Sequence, residues 1–438
     1  MRNLDILQQS MRAALHPRPA GRIGAVQDGL LRIDGVSHVA RIGDLVSLRG
    51  AGPKLKAEVL RLDHGAVWAL PDTPPEGVSL GRKAWLEEQP ALAPDDSWIG
   101  RVIDPFGRPL DGDPMMRGAK PRSLLAPPLP AAQRAPLGRR LSSGLAVMNT
   151  ILPVTEGQRI GLFAGSGVGK SRLLAHLTRN MQADIVVLAL VGERGREVGE
   201  FVNRTLGPEG MRRAVVVAAT SDQSALMRRR CAWSAMAVAE HFRDQGRSVL
   251  FLMDSVTRFA EAHREVALAA GESSALRGYP PSTMPAIASL CERSGPGLVG
   301  SGQITAVFSV LVAGSDMDEP VADMLRGVLD GHLVLSRDIA ERGRYPAVDV
   351  SRSVSRCLPD AASESENALI LEVRRLLGAY EQSETMIRAG LYVPGTDPVL
   401  DRAVKLWPEL DSFFARAEEP GLQDSFNRLQ LLLRRAGI

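Results

Sequence analysis

The sequence of 438 residues contains little cysteine and few aromatic residues, the latter only 4% of the chain. Its three cysteines, Cys231, Cys291 and Cys357, lie far apart and form no CxxC or Cys/His spacing. Disulfide frameworks and zinc sites need such spacings, so the pattern argues against both. We expect reduced, structural thiols and therefore a reducing compartment.

Long apolar runs and a charge imbalance are also missing. No stretch reaches about 18 apolar residues, the length that a membrane-spanning helix requires, and the N-terminus lacks the apolar core of a signal peptide. The 53 basic and 50 acidic residues nearly cancel, so bulk attraction to nucleic acid or to an anionic membrane is weak. We expect a soluble, cytoplasmic protein with no nucleic-acid partner.

The chain is long enough for two or three domains. Residues 1–20 place Leu4, Leu7, Met11 and Leu15 at helical spacing, which predicts a short amphipathic helix. This helix either packs on its own protein or serves as a docking segment for a partner. Residues 21–92 follow, with short apolar stretches separated by closely spaced turn signals, a pattern typical of a small β-barrel.

Residues 93–360 are predicted to form an α/β domain with a mostly parallel sheet, because near-continuous apolar runs alternate with helical segments. The predicted strands are Arg159–Ala164, Ile185–Val191, Ala214–Ala219, Val249–Met253, Ile304–Val312 and Leu333–Leu335. Strand signals almost vanish after residue 360, so residues 361–438 are predicted to be a helical domain.

The strongest chemical signal is a glycine-rich run between a predicted strand and a predicted helix. It reads Ala164-Gly165-Ser166-Gly167-Val168-Gly169-Lys170-Ser171, a P-loop with alanine where the strict pattern has glycine. Its backbone N–H groups and the helix N-terminus bind phosphate. Lys170 is expected to bridge the β- and γ-phosphates of ATP, and Ser171 to bind Mg²⁺.

Two carboxylates follow predicted strands and complete the hydrolytic site. Asp254 ends the run Val249–Met253, at the edge where α/β sheets bind ligands, and we expect it to organise Mg²⁺ rather than to cap the next helix. Glu193 follows Ile185–Val191. It is a candidate general base, with an ion pair to Arg194 or Arg196 as an equally open alternative.

Several segments resemble the family of rotary ATP synthase catalytic subunits over nearly the whole chain. They are Gly100–Asp104 with Gly107 and Gly112, the P-loop, Gly192–Arg194, Gly278–Ser282, Tyr345–Asp349 and Ser353–Arg356. Within that family, Gly161–Ser171 and Asp316–Pro320 are most similar to flagellar protein-export ATPases, and virulence type III secretion ATPases are close competitors. The fold implied is RecA-like, with an N-terminal β-barrel and a C-terminal helical domain.

The resemblance also implies roles for single residues. Glu193 matches the catalytic glutamate, and Arg356 matches an arginine that reaches the γ-phosphate of a neighbouring subunit's ATP. Tyr345 matches an aromatic that packs on adenine, with ordinary packing beside Pro346 as its alternative. Arg194 is expected near the phosphates or in the interface network, or else in a structural ion pair.

The function implied is ATP hydrolysis by a homohexamer that powers or primes type III export of flagellar proteins and releases their chaperones. A virulence type III secretion ATPase is the alternative. The expected partners are a stator-like protein at the N-terminus, a membrane export gate, and a stalk-like protein, chaperones and substrates at the C-terminal domain. The protein would then associate peripherally with the inner membrane.

Three alternatives stay open. A rotary synthase subunit would use the same residues in reverse, and a hexameric RNA translocase would place basic and aromatic residues on the β-barrel. A nucleotide-binding subunit that does not hydrolyse ATP is disfavoured by the joint presence of Lys170, Asp254, Glu193 and Arg356.

Overall fold

The structure is a computed structural model that describes residues 18–49, 55–87, 92–275, 278–312, 317–417 and 421–435. The helix predicted within residues 1–20 has its apolar positions outside these ranges. Three regions follow one another along the chain: a β-barrel, an α/β sheet and a group of helices. The predicted fold class is therefore confirmed, while the boundaries between the predicted domains stay a prediction.

Six antiparallel strands close the barrel in the order β1-β2-β5-β4-β3-β6. They are β1 (Ala20–Gln27), β2 (Leu30–Asp34), β3 (Leu45–Leu48), β4 (Leu55–Asp63), β5 (Ala66–Pro71) and β6 (Lys83–Glu87). Asp28 and Gly29 both have positive φ, 52° and 78°, and Gln27 pairs with Leu30. A two-residue turn of this kind matches the twist of the strands that it joins.

The central sheet has nine strands, eight of them in the order β17-β16-β10-β15-β13-β11-β12-β7, with β14 also paired to β15. All pairs are parallel except those of β14 with β15 and of β17 with β16. The strands are β7 (Val102–Ile103), β10 (Arg159–Ala164), β11 (Ile185–Glu193), β12 (Ala214–Thr220), β13 (Ser248–Asp254), β14 (Gly295–Pro296), β15 (Gln303–Leu311), β16 (Gly331–Leu335) and β17 (Val348–Ser355). A short hairpin, β8 (Arg140–Leu141) with β9 (Val154–Thr155), precedes β10.

Helices cover both faces of this sheet and form the C-terminal region. They are α1 (Ala146–Asn149), α2 (Lys170–Asn180), α3 (Gly195–Glu200), α4 (Gly207–Met211), α5 (Ala225–Arg243), α6 (Val256–Ala269), α7 (Thr283–Glu292), α8 (Pro320–Val328), α9 (Arg337–Glu341), α10 (Glu364–Arg388), α11 (Pro398–Phe414) and α12 (Leu422–Arg435). A π-helix, Phe201–Leu206, lies between α3 and α4. Across the described ranges, each helix is too short or too polar to span a bilayer.

All six predicted strands are present, with ends that differ by one or two residues. The edge strands β7 and β17 were not predicted. Strand β17 is rich in polar residues, namely Asp349, Ser351, Arg352, Ser353 and Ser355, and both Ser351 and Arg352 are exposed. A buried parallel strand has a continuous apolar run. Strand β17 has no such run, so the apolar pattern did not predict it.

The C-terminal helices pack on the same apolar core as one face of the sheet. Leu377 of α10, Leu410 of α11 and Leu429 of α12 belong to one buried cluster with Leu162 of β10. A capping box begins α10, in which Ser363 accepts a hydrogen bond from the Glu366 N–H and the Glu366 carboxylate accepts one from the Ser363 N–H. The helical region therefore shares a core with the sheet.

A buried ion pair joins α5 to the end of α7. The Glu240 carboxylate accepts two hydrogen bonds from Arg293, at 2.9 Å from Nε and 2.7 Å from Nη2. The side chains are 7% and 2% exposed. A third donor of Arg293 reaches the carbonyl oxygen of Leu124. Because each charged side chain has an oppositely charged, hydrogen-bonded partner, the ion pair can be buried.

Removing one partner leaves the other charge buried and unpaired. We expect Glu240→Ala to lower the free energy of unfolding by about 3–5 kcal/mol, measured by urea unfolding followed by tryptophan fluorescence. Glu384→Ala removes the exposed ion pair with Arg388 and should cost at most about 1 kcal/mol. Equal effects of the two substitutions would contradict the assignment.

Candidate active site

The P-loop connects β10 to α2 as the sequence predicts. Strand β10 ends at Ala164 and helix α2 begins at Lys170. Gly167 and Gly169 have φ of 78° and 92°, a region that favours glycine because it has no Cβ. Ala164, at the variant position, is 1% exposed and pairs with Leu311 and Leu335 of the flanking strands. The alanine therefore lies within the sheet, before the turns that need glycine.

Three polar side chains meet at the carboxyl edge of the sheet. Lys170 Nζ forms an ion pair with Asp254 Oδ1, and Ser309 Oγ donates a hydrogen bond to the same oxygen at 2.8 Å. Asp254 is 5% exposed and Ser309 is fully buried. Asp254 ends β13, Ser309 lies on the adjacent strand β15, and Lys170 begins α2 after β10. Because β10, β15 and β13 pair in parallel, their carboxyl ends bring the three side chains together.

The helix-capping alternative for Asp254 is wrong. Helix α6 is capped by Ser255, whose hydroxyl accepts a hydrogen bond from the Arg258 N–H at 3.4 Å. The carboxylate of Asp254 faces Lys170 instead. Asp254 is thus free to act with the P-loop lysine.

Glu193 ends β11, next to this group. Burial and the negative charge of Asp254 raise its pKa, the charge of Lys170 opposes them, and the net result is a pKa of about 7. A carboxyl group with a pKa near neutrality is suited to take a proton under physiological conditions. The electrostatics therefore support the general-base candidate.

Arg194 forms its ion pair with Glu197, at 3.1 Å, and its side chain is 78% exposed. The alternative in which Arg194 neutralises Glu193 receives no support from this contact. The catalytic role of Arg194 stays a prediction.

Tyr345 lies against the P-loop. A Cβ built on Gly169 would be 3.1 Å from two carbons of the Tyr345 ring, so a side chain at this position would crowd the ring. The ring is 38% exposed and lies 5.9 Å from the guanidinium of Arg172. An exposed aromatic face beside a phosphate loop is suited to stack on a base.

Arg356 lies at the opposite edge of the sheet. Strand β17 is antiparallel to β16, so Val348 pairs with Leu335 near the P-loop and Ser355 pairs with Gly331 at the far end. The length of β16 separates these ends by about 13 Å, at ~3.3 Å per residue. Arg356 is exposed and donates a hydrogen bond to the carbonyl oxygen of Arg326 at 3.0 Å.

Sequence reasoning missed Ser309 and Arg337. Ser309 lies within the apolar run Ala306–Leu311 of strand β15, and a polar residue buried among apolar ones was a usable signal. Arg337 Nη2 lies 3.5 Å from the carbonyl oxygen of Ser166. No pattern in the sequence links Arg337 to the P-loop, because the contact depends on how β16 pairs with β10.

Magnesium is compatible with the residues present. Ser171 at the start of α2 is exposed, and the oxygens of its hydroxyl and of Asp254 are hard ligands of the kind that Mg²⁺ prefers. Within the described part of the chain, no three His, Cys, Asp or Glu residues form a metal-binding group. A magnesium ion here would therefore need oxygen ligands from bound phosphates as well.

The fold and the P-loop define an ATP-binding protein of the RecA-like ATPase class, and comparisons identify its family. Residues 144–355 match the ATP synthase alpha/beta family, nucleotide-binding domain, and residues 362–430 match the T3SS EscN ATPase C-terminal domain. The flagellum-specific ATP synthase of Caulobacter vibrioides is 45% identical, covering 94% of this chain and 96% of that protein. The type 3 secretion system ATPase of Pseudomonas syringae pv. syringae is 42% identical, over 94% and 93% of the two chains.

A solved structure agrees with these relatives. The assembled ATPase EscN from the type III secretion system of enteropathogenic E. coli is 35% identical, with a TM-score of 0.86, and covers 94% of this chain and 100% of that chain. The chain belongs to the family of flagellum-specific ATP synthases and type 3 secretion system ATPases. It is an ATPase, and the resemblance expected from its motifs is confirmed.

The contact of Tyr345 with Gly169 predicts that a methyl group added at position 169 weakens ATP binding. We expect Gly169→Ala to weaken ATP binding at least about tenfold, because the φ of 92° is strained for alanine and the new Cβ pushes the ring. Equilibrium binding of a fluorescent ATP analogue measures this loss.

Two further alanine substitutions separate the causes. Gly167 has positive φ but open space around it, and Gly199 of α3 has open space and ordinary φ. Gly167→Ala should give an intermediate loss of binding and Gly199→Ala none. Wild-type affinity in Gly169→Ala would refute the contact.

Proposed function

We propose that this chain hydrolyses ATP in a homohexameric ring that drives type III protein export. The observation that carries the proposal is the separation of Lys170 and Arg356 on opposite edges of one sheet. A single subunit then lacks the arginine at its own P-loop, and a neighbouring copy supplies it. The assembled form of the similar EscN supports such a ring.

Each residue has one task in the proposed reaction. Lys170 leaves Asp254 to bind the β- and γ-phosphates when nucleotide enters. Glu193 orients a water molecule and takes its proton as the water attacks the γ-phosphate. The neighbour's Arg356 offsets the charge that develops on the phosphoryl group, an effect worth about a thousandfold in rate. Tyr345 packs on the adenine, and Arg194 serves the phosphates or the interface.

Magnesium would be held by Ser171 and Asp254 together with phosphate oxygens, and it supplies charge neutralisation at the phosphates. The backbone N–H groups of residues 165–169 orient the same phosphates.

We assign the export function to a flagellum, because the flagellum-specific ATP synthase of Caulobacter vibrioides is 45% identical. A virulence secretion system is the second candidate, because the type 3 secretion system ATPase of Pseudomonas syringae is nearly as similar, at 42% identity. In either system the C-terminal helices would contact a stalk-like protein, chaperones and substrates. A complex of EscN with its central stalk EscO supports a stalk partner. We further propose that residues 1–20 bind a stator-like protein. The chain would act at a membrane export gate, at the cytoplasmic face of the inner membrane. Restoration of motility or of effector secretion in strains lacking the respective ATPase distinguishes the two systems.

The pKa of Glu193 gives a pH dependence. A general base works only when deprotonated, so kcat/KM should rise with pH through about 7, where the carboxyl of the nucleotide-free enzyme titrates. Glu193→Gln should reduce kcat by about 100-fold or more while ATP binding persists. Glu200→Gln, on the exposed end of α3, is the matched control and should keep the wild-type profile. A pH-independent wild type, or turnover in Glu193→Gln, would remove Glu193 from the reaction.

The ring mechanism predicts complementation between two inactive variants. Lys170→Ala lacks a working P-loop and Arg356→Ala lacks the interface arginine, so each alone should be nearly inactive. In an equimolar mixture, about one quarter of interfaces pair an intact P-loop with an intact arginine if subunits assemble at random. ATPase activity of mixtures, with light scattering to confirm assembly, measures the recovery. An inactive mixed ring would refute sites shared between subunits.

A further inference from the structure

A buried cation precedes Tyr345. The side chain of Arg344 is 7% exposed, and its Nη2 donates a hydrogen bond to the carbonyl oxygen of Val348 at 2.9 Å. Its Nη1 lies 3.4 Å from the carbonyl oxygen of Pro346. One guanidinium therefore holds the backbone on the C-terminal side of Tyr345, where the chain enters β17.

The same guanidinium reaches the C-terminal helical region. Arg344 Nε lies 3.1 Å from Oδ1 of Asp411 on α11, without the alignment of a hydrogen bond at either atom. The ring of Phe414, also on α11, has its centroid 6.0 Å away. Burial lowers the pKa of Arg344, and the charge of Asp411 opposes this shift. An arginine stays protonated in such a site, so the contact with Asp411 is one of opposite charges.

These contacts form a continuous path between two regions. Helix α11 contacts Arg344 through Asp411, Arg344 holds the segment of Tyr345, and the Tyr345 ring touches Gly169 of the P-loop. The guanidinium is rigid and planar, so it can bind the two carbonyl groups in fixed directions, while its charge attracts the Asp411 carboxylate. A shift of α11 would then move the backbone beside Tyr345.

We propose that Arg344 is a positioning residue for the base-binding side of the nucleotide site, and that Asp411 links this position to the C-terminal helical region. The inference rests on the proposed role of Tyr345 at adenine and goes beyond it. Loss of the Asp411 charge removes the larger of two opposite charges that act on the buried Arg344, leaving only the weaker one of Asp349, and the Tyr345 segment relaxes. Affinity for the base then falls, while the phosphate contacts of Lys170 stay intact.

The alternative is that the ion pair only stabilises the fold. In that case, loss of the ion pair lowers the stability of the fold, and the affinities for ATP and for tripolyphosphate change equally. Tripolyphosphate has the phosphates of ATP without the base, so it separates the two cases. A positioning role changes the affinity for ATP and spares that for tripolyphosphate.

The test uses the full chain and the variants Asp411→Asn, Tyr345→Ala and Glu409→Gln. Steady-state kinetics give KM and kcat for ATP, and competition gives the inhibition constant of tripolyphosphate. For Asp411→Asn we expect KM to rise about tenfold, with kcat and the inhibition constant within about twofold of wild type. Glu409 is exposed on the same helix, so Glu409→Gln should match wild type in all three.

Arg344→Lys provides an independent check, because lysine keeps the charge but cannot bind both carbonyls in the fixed geometry of arginine. Arg344→Lys should raise KM for ATP as Asp411→Asn does. In the double variant Arg344→Lys/Asp411→Asn, the change in free energy derived from KM should be smaller than the sum of the two single changes. Arg344→Lys also serves if Asp411→Asn does not fold.

Each other outcome is decisive. Equal changes for ATP and tripolyphosphate, or an unchanged KM in both Asp411→Asn and Arg344→Lys, would overturn the positioning role. If Tyr345→Ala also leaves KM unchanged, the adenine role of Tyr345 fails. If Tyr345→Ala alone raises KM, the adenine role of Tyr345 stands and the positioning role of Arg344 fails. If Arg344→Lys raises KM and Asp411→Asn does not, the link to Asp411 fails.

Discussion

Parallel pairing of β10, β15, β13 and β11 is the constraint on which the site depends. Because these strands run in one direction, their carboxyl ends lie at one edge, where the P-loop, Asp254 and Glu193 follow from three of them. Ser309 contributes from the fourth. Parallel sheets need cover on both faces, and two apolar clusters with the helices provide it.

Burial at this edge determines the electrostatics. Asp254 is almost fully buried and is stabilised by Lys170 and Ser309. Its negative charge and the burial of Glu193 together raise the pKa of Glu193 toward neutrality. The charge of Lys170 opposes this shift, so the pKa of Glu193 reflects a balance between burial, the negative charge of Asp254 and the positive charge of Lys170.

Strand β17 runs antiparallel to its neighbour β16, and this direction separates the residues at its two ends. Strand β17 leaves the P-loop edge after Tyr345 and ends beside Arg356 at the far edge. Tyr345 and Arg356, eleven positions apart in sequence, therefore lie near opposite ends of this strand. Tyr345 faces the P-loop of its own chain, and Arg356 is exposed at the far end. Helix α11 packs close to the start of this strand through Arg344, so the helical region contacts the segment that carries Tyr345.

The sequence by itself determined the fold class, the six central strands and the P-loop, because apolar runs and glycine-rich turns are local signals. It also indicated Asp254 and Glu193, since residues that follow buried parallel strands meet at one edge. Strand β17, Ser309, Arg337 and the choice of Glu197 as the partner of Arg194 were decided by tertiary structure. These features depend on strand order, antiparallel register and side-chain direction, which bring together residues that no local pattern connects.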